Sequence, residues 1–382
     1  MEREIFDKAH HAFRDTMRAF VEREVLPRLA DWDETGVTGH EVWLAAGRAG
    51  ILAPDMDSEY GGGGVADYRF HVVRSEEMAR AGVLSPAFNL HSEVVGGYLA
   101  SLATPEQKRR WLPGFCSGEE IAAIAITEPG AGSDIAAIRT TARRDGDSYV
   151  LEGQKSFITH GSIAGNILVL AKDATGSVRG RPSASLLMVG RNTPGVVVGR
   201  PQRKIGLHSL DTVELFFDNV RIPAHNLLGR EGLGFLYALN NLPRERLSIA
   251  VSALALAERA YEETVDHCRR REASGGPLVQ LQTVRFSLAE MATKLTVARA
   301  FTDRCIVAHD RDDLAQEDAA MVKWWNTELC KDVTDRCLQL HGGYGYTTDF
   351  FVSKAFVDGR AQTIYGGTTE IMKEIIGQAV AF

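Results

Sequence analysis

The residues best suited to chemistry fall in five short stretches. In Leu239–Leu254, LNNLPRERLSIAVSAL, Glu245 and Arg246 set a carboxylate and a cation at the edge of an otherwise apolar run. Spacing leaves two readings of that pair: the charged first turn of a helix, with the glutamate favoured by the positive helix end, or a base held in a desolvated cleft. Pro243 has no N–H to donate and is expected to kink or open the turn before it. TEPGAGSD (Thr127–Asp134) joins Gly130 and Gly132, which let backbone approach a ligand closely, to the hydroxyls of Thr127 and Ser133; a tight strand-to-strand turn uses the same residues. GQKSFITHG sets the aromatic face of Phe157 beside the hydroxyl of Thr159, with His160 read as a solvent-side turn residue. QLHGGYGY (Gln339–Tyr346) and IYGGTTEIM (Ile364–Met372) each carry a glycine pair, Gly342–Gly343 and Gly366–Gly367, and Thr368 is a natural N-cap at a helix start that could face an anion.

These stretches need a scaffold, and its composition is that of an ordinary soluble protein. A chain of 382 residues calls for two or three packed units. Net charge −7 leaves no basic surplus for phosphates, which argues against nucleic acid. The basic run Arg269–Arg271 reads as the end of a helix, where cations suit the dipole. Cysteines 116, 268, 305, 330 and 337 show no CxxC and no pairing with histidines, so we expect reduced core thiols, no metal, and a cytoplasmic protein. No apolar run approaches the roughly 18 residues of a membrane span, and MEREIFDKAHHAF is too charged for a signal peptide.

Residues 1–120 read as helical. Phe6, Phe13, Met17, Phe20, Val21 and Val25 mark one face, with Pro27 ending that helix, and Thr104 caps a helix that opens with Pro105. Gly61–Gly64 is loop with no phosphate-loop signature. From Ile121 short β-branched runs separated by Gly, Asp and Asn indicate antiparallel strands, and Asp211 and Glu214 look like an exposed strand edge. Helical periodicity returns from Gly232. Leu247, Ala250, Val251, Leu254, Ala257, Tyr261, Val265 and Cys268 line one helix; Leu281, Val284, Leu288, Met291 and Leu295 a second; Val322, Trp325, Leu329, Val333, Cys337 and Leu340 a third. With a short C-terminal helix these make a four-helix bundle.

TEPGAGSD, GQKSFIT, RRREASGGPL with LQTVRF, QLHGGYGY and IYGGTTEIMKEII, in this order and over essentially the whole chain, resemble the acyl-CoA dehydrogenase family, nearest its long-chain and isovaleryl-type branch. The resemblance implies an α+β multidomain fold: an N-terminal helical domain (1–120), a middle antiparallel β domain (121–231) and a C-terminal four-helix bundle (232–382). It implies non-covalent FAD, a homotetramer built as a dimer of dimers, and α,β-dehydrogenation of an acyl-CoA to trans-2-enoyl-CoA, with electrons passed to an electron-transferring flavoprotein. By it, Ile126, Thr127, Gly132, Ser133, Phe157, Ile158 and Thr159 would hold the isoalloxazine and ribityl side, and Ser133 would also lie near the acyl-CoA. Arg271, Gln282, Gln339, Gly342, Gly343, Thr368 and Glu370 would meet the pyrophosphate and adenosine, partly across a subunit boundary. Phe157 and His160 replace the more usual Trp and Asn as tolerated changes. Ser274 replaces the phenylalanine of the usual Arg-x-x-Phe-Gly and removes an aromatic contact with the cofactor.

The reaction needs a base for a weakly acidic α-proton while a β-hydride leaves to flavin N5. In many members that carboxylate precedes the Gly-Thr of the last motif, where this chain has Gly366. The long-chain and isovaleryl-type branch carries it on the first bundle helix, and PRERLSIA puts Glu245 there. Arg246 would help to hold the CoA part. A ribityl hydroxyl and the N–H of Gly366, with Gly367 beside it, would meet the oxyanion. Glu128 and Glu370 have weaker claims to be the base. An acyl-CoA oxidase, a desaturase of carrier-bound acyl groups, and an inactive FAD-binding subunit are the alternative readings.

Overall fold

The computed structural model describes residues 3–178, 181–273 and 275–381; Ser274 lies outside them. Six α-helices come first: α1 (Lys8–Phe20), α2 (Leu29–Thr35), α3 (His40–Arg48), α4 (Arg69–Arg80), α5 (Gly96–Leu102) and α6 (Pro105–Ser117). Asp7 and His10 form a reciprocal cap on α1, and Thr104 and Gln107 do the same on α6. Met17, Phe20, Val21 and Val25 are buried as the stripe requires. The α-helix ends at Phe20, however, not at Pro27: a wider turn (Val21–Val25) and a 3-10 turn (Leu26–Arg28) carry the chain past the proline into α2.

The middle of the chain forms one sheet from β1 (Ala122–Ala125), β2 (Thr141–Asp145), β3 (Ser148–Thr159), β4 (Asn166–Val178), β5 (Arg181–Gly190), β6 (Val196–Val198), β7 (Thr212–Pro223) and β8 (Leu227–Leu228). The strand order is β6-β7-β3-β2-β4-β5-β8, with β1 also on β4. The expected antiparallel pairing holds for β2–β3, β3–β7, β4–β5, β5–β8 and β6–β7. Two pairs depart from it. β1 and β2 both run parallel to β4, Ala125 opposite Val169 and Thr141 opposite Lys172. They therefore follow one another along the same neighbour, and residues 126–140 form an excursion between two segments of one edge rather than a hairpin.

After β8 comes α7 (Gly234–Arg270), then the short pair β9 (Glu272–Ala273) and β10 (Gly276–Pro277). The chain ends with α8 (Gln282–Asp310), α9 (Gln316–His341), α10 (Phe351–Arg360) and α11 (Thr369–Ala381). α10, which periodicity did not suggest, packs on α7 and α9 beside the four anticipated helices. Arg269 and Arg270 do end α7. Every residue from Arg246 to Ala257 is buried, a full cylinder rather than a stripe, because the N-terminal helices cover the side that the bundle leaves open. Tyr68 and Val72 pack there on Leu247, Ala250, Val251 and Val322. Trp325, expected in the α9 stripe, is exposed, whereas Val322, Leu329, Val333 and Cys337 are buried. The five cysteines are free and buried.

Candidate active site

Glu245 is the twelfth residue of α7, which runs unbroken through Pro243. It is therefore remote from the helix start, and the first-turn reading of its charge fails. Pro243 withholds the N–H that would reach the carbonyl of Leu239. Gln316 supplies the donor instead, its Nε2 lying 3.0 Å from that oxygen, while its Oε1 accepts from Arg246 at 3.3 Å. One side chain thus satisfies the gap left by the proline and holds the buried arginine.

Oε1 of Glu245 accepts two hydrogen bonds, from Asn241 Nδ2 at 2.9 Å and from the Tyr98 hydroxyl at 3.3 Å. Asn241 also reaches the carbonyl of Val94 at 3.3 Å, and it can lie there because Gly97 has no side chain: a Cβ at 97 would sit 2.5 Å from Asn241 Oδ1. Burial lifts the Glu245 carboxyl above the usual carboxylate range, against the pull of those two donors and of the Arg246 charge. Next door, Arg244 is locked by Asp55 at 2.6 Å, and Asp55 is shared with His71 at 3.0 Å. Glu93, a second buried acid nearby, is taken by Arg74 at 2.8 Å and Tyr68 at 2.8 Å. Among the described residues no cation pairs directly with Glu245.

One helical turn on, Ile249 presses against the Gly366–Gly367 turn. Both glycines are left-handed, φ +66° and +96°, and a Cβ at 366 would run into Ile249 Cδ1. A side chain at 366 would need both a strained left-handed backbone and a shift of the Ile249 terminal methyl, on the helix that carries Glu245. The N–H of Gly366 meets no acceptor among the described residues. Thr368 caps α11, its hydroxyl accepting from the Ile371 N–H at 3.3 Å.

The TEPGAGSD excursion is braced from within. Glu128 is buried, not a lining residue: it accepts from the N–H groups of Arg139 and Thr140 at 2.6 and 3.0 Å and pairs with Lys155 at 2.9 Å. Lys155 also donates to the carbonyl of Ile126 at 2.9 Å, and the N–H of Ser156 to Thr127. Glu128 and Ala131 close a tight turn, leaving Gly130, Gly132 and Ser133 exposed. A bulge in β3 between Lys155 and Ile158 then throws Phe157 outward, φ +59° and 64% exposed. Ile158 points into the sheet core, so only its backbone faces outward. A bulge that turns an aromatic ring outward beside glycines with open space at their Cβ positions fits a planar ring ligand.

His160 corrects the sequence reading. It is fully buried, edge-on to Trp43 with centroids 5.0 Å apart. Asp211, expected at an exposed edge, is buried too and accepts from the N–H of His160 at 3.2 Å and of Ser162 at 2.9 Å. The end of β3 lies under α3, a tertiary contact that local polarity cannot reveal.

A second cluster stands at the far end of the bundle. Arg271 lies over the Tyr344 ring at 5.9 Å, and His267 stacks on His341 at 4.1 Å. Gly342 and Gly343 have open space where a Cβ would be, and Gln282 and Gln339 are exposed. Thr368 and Glu370 lie apart from this cluster, by the Gly366 turn. From Glu245 to Arg271 is 26 residues of helix, or about 39 Å at 1.5 Å per residue. One dinucleotide-sized ligand cannot touch both ends within a single chain.

Models of the acyl-CoA dehydrogenase N-terminal, middle and C-terminal domains match residues 7–119, 123–220 and 232–381. The chain belongs to the acyl-CoA dehydrogenase family. It is 41% identical over 381 residues to the mitochondrial long-chain specific acyl-CoA dehydrogenase of Mus musculus, covering 99% of this chain and 88% of the mouse protein. The crystal structure of an acyl-CoA dehydrogenase from Geobacillus kaustophilus superposes with TM-score 0.96 at 42% identity over the full length of both chains. A glutaryl-CoA dehydrogenase from Mycobacterium smegmatis in complex with FADH2 superposes at 0.91 with 27% identity, over 99% of this chain and 95% of its own. This acyl-CoA dehydrogenase is thus an FAD-dependent oxidoreductase, and its glycine turns and outward Phe157 fit that cofactor. No helix among the described residues is long and apolar enough to cross a membrane.

Sequence reasoning missed Tyr98, Asn241, Gln316 and Ile249. Tyr98, Gln316 and Ile249 carry no local signal. Asn241 alone stands out, as the amide one turn before Glu245 on the same helix face.

Proposed function

We propose that Glu245 takes the α-proton of an acyl-CoA thioester, giving trans-2-enoyl-CoA, and that the electrons pass on to an electron-transferring flavoprotein. The observation that carries this is the carboxylate itself. It is desolvated and held by two donors on Oε1, while Oε2 accepts no hydrogen bond among the described residues. A raised, oriented carboxylate with one free oxygen is what abstraction of a weak carbon acid requires. Bound FAD supplies the acceptor for the β-hydride. The free N–H of Gly366 meets the thioester oxygen as negative charge develops, and Arg246, buried and only partly satisfied, faces the CoA portion.

Phe157, Thr127, Gly132, Ser133, Thr159 and the backbone of Ile126 and Ile158 form the ring and ribityl side. Arg271, Gln282, Gln339, Gly342 and Gly343, about 39 Å from Glu245, serve the cofactor of a second copy, which makes the working unit an oligomer. Anaerobic titration with acyl-CoAs of short to long chain, following flavin absorbance, tests the reading. Bleaching by one chain-length class is expected, with long chains the first to try; bound flavin that no acyl-CoA bleaches refutes it.

A further inference from the structure

Lys323 is a fully buried lysine that the reaction described above does not use. It sits on α9, facing the turn before α11, and its Nζ donates to the carbonyl of Gly367 at 2.6 Å. Five residues along the same helix, Glu328 accepts from the Thr369 hydroxyl at 2.6 Å. α9 therefore ties both sides of one short segment. The segment needs such ties. Gly366 and Gly367 are consecutive left-handed glycines, the residue type with the most backbone freedom to lose. Ahead of them, the N–H of Ile364 and Tyr365 are held by the carbonyl of Ala361 at 2.9 and 3.3 Å. Behind them, Thr369 starts α11. Only the peptide planes around 366 and 367 are left to set, and the carbonyl of Gly367 is the handle that Lys323 holds.

We propose that Lys323, seconded by Glu328 through Thr369, is a positioning residue that fixes the direction of the Gly366 N–H toward the developing oxyanion. The inference rests on the role given to that N–H in the proposed function. A buried amine with a single hydrogen bond is costly to keep, and a methionine there would pack as well. A preorganised donor, by contrast, is worth far more in a transition state than a wandering one.

The experiment uses the holoenzyme and a 3-thia-acyl-CoA, which carries sulfur in place of the β-carbon and so can lose its α-proton but has no hydride to give. The enolate against oxidised flavin absorbs at long wavelength, and its pH titration reads how well the oxyanion is stabilised. Lys323→Met is expected to raise the apparent pKa of bound ligand by at least one unit, a tenfold loss of enolate, with FAD content and enoyl-CoA affinity within twofold of the parent. Lys323→Gln, which keeps a donor, is expected to recover part of the shift. An unchanged titration overturns the proposal, and so does a loss that FAD content and enoyl-CoA affinity follow in parallel, the mark of a structural role. If Lys323→Met does not fold, Thr369→Val cuts the second tie and is read by the same two criteria. A parent enzyme that gives no band with any chain length overturns the function reading itself, and this inference with it.

Discussion

Replacing Glu245 with glutamine removes the base while disturbing its surroundings as little as chemistry allows. The amide oxygen can still accept from Asn241 and Tyr98, and the side chain keeps its length. What disappears is the charge and the basicity. General-base catalysis contributes about 10²–10⁴ in rate, or about 2.7–5.4 kcal/mol at about 1.36 kcal/mol per decade. The upper end applies here, because the neighbouring acids Asp55 and Glu93 are committed to Arg244, His71 and Arg74 and cannot deputise. Stability is expected to move the other way. Burial raises the folded-state pKa of Glu245, so its favourable contribution is complete below the unfolded carboxyl value and is lost as pH rises through the folded one. At pH 8, well above the unfolded carboxyl value, that contribution is reduced for glutamate, whereas glutamine has no such dependence on pH. Anaerobic stopped-flow reduction by acyl-CoA, flavin content from absorbance, and a thermal melt at pH 8 give the three readings. We expect reduction slowed by about 10⁴, full flavin content, and an equal or higher melting temperature. Reduction within tenfold of the parent would refute the assignment of the base.

Three further outcomes follow from the same geometry. Tyr98→Phe removes a donor to the carboxylate, so the acid limb of the flavin-reduction rate should move up by about one pH unit, the low end of a hydrogen bond to a charged group; an unmoved limb means the 3.3 Å contact is inconsequential. Gly366→Ala should cost about 2–5 kcal/mol in urea denaturation, from left-handed strain and from overpacking against Ile249 Cδ1. Ile249→Val deletes that atom, so the double variant should recover about 1–3 kcal/mol relative to the sum of the singles; strict additivity would show that the contact relaxes at no cost. His91 is buried and His309 half-buried, and both are neutral, pushed down by desolvation to about 3 and about 4. Depressed histidines stabilise fully above their unfolded value and lose that contribution as pH falls toward the folded one. The melting temperature should therefore drop steadily from about pH 6.5 to about pH 4, and a flat profile over that window would contradict their burial.

The sequence by itself determined most of what repeats locally. Hydrophobic period separates the helical ends from the stranded middle, and the caps at Thr104 and Thr368 are written in neighbouring residues. The complementarity of Glu245 and Gly366 was visible as a pair of letters, a carboxylate present at one position and absent at the other. Tertiary structure decided what those letters mean. It shows that Ile249 fills the space a side chain at 366 would need, that Gln316 mends the helix at Pro243, and that Tyr98, 147 residues away, donates to Glu245. It also reversed other readings, burying His160 under α3 and Asp211 beside it, and laying β1 and β2 end to end along β4. The physical reason is the same in each case. Periodicity and capping act over a few residues along the chain, whereas desolvation, strand direction and hydrogen bonds across the core depend on which distant segments pack together.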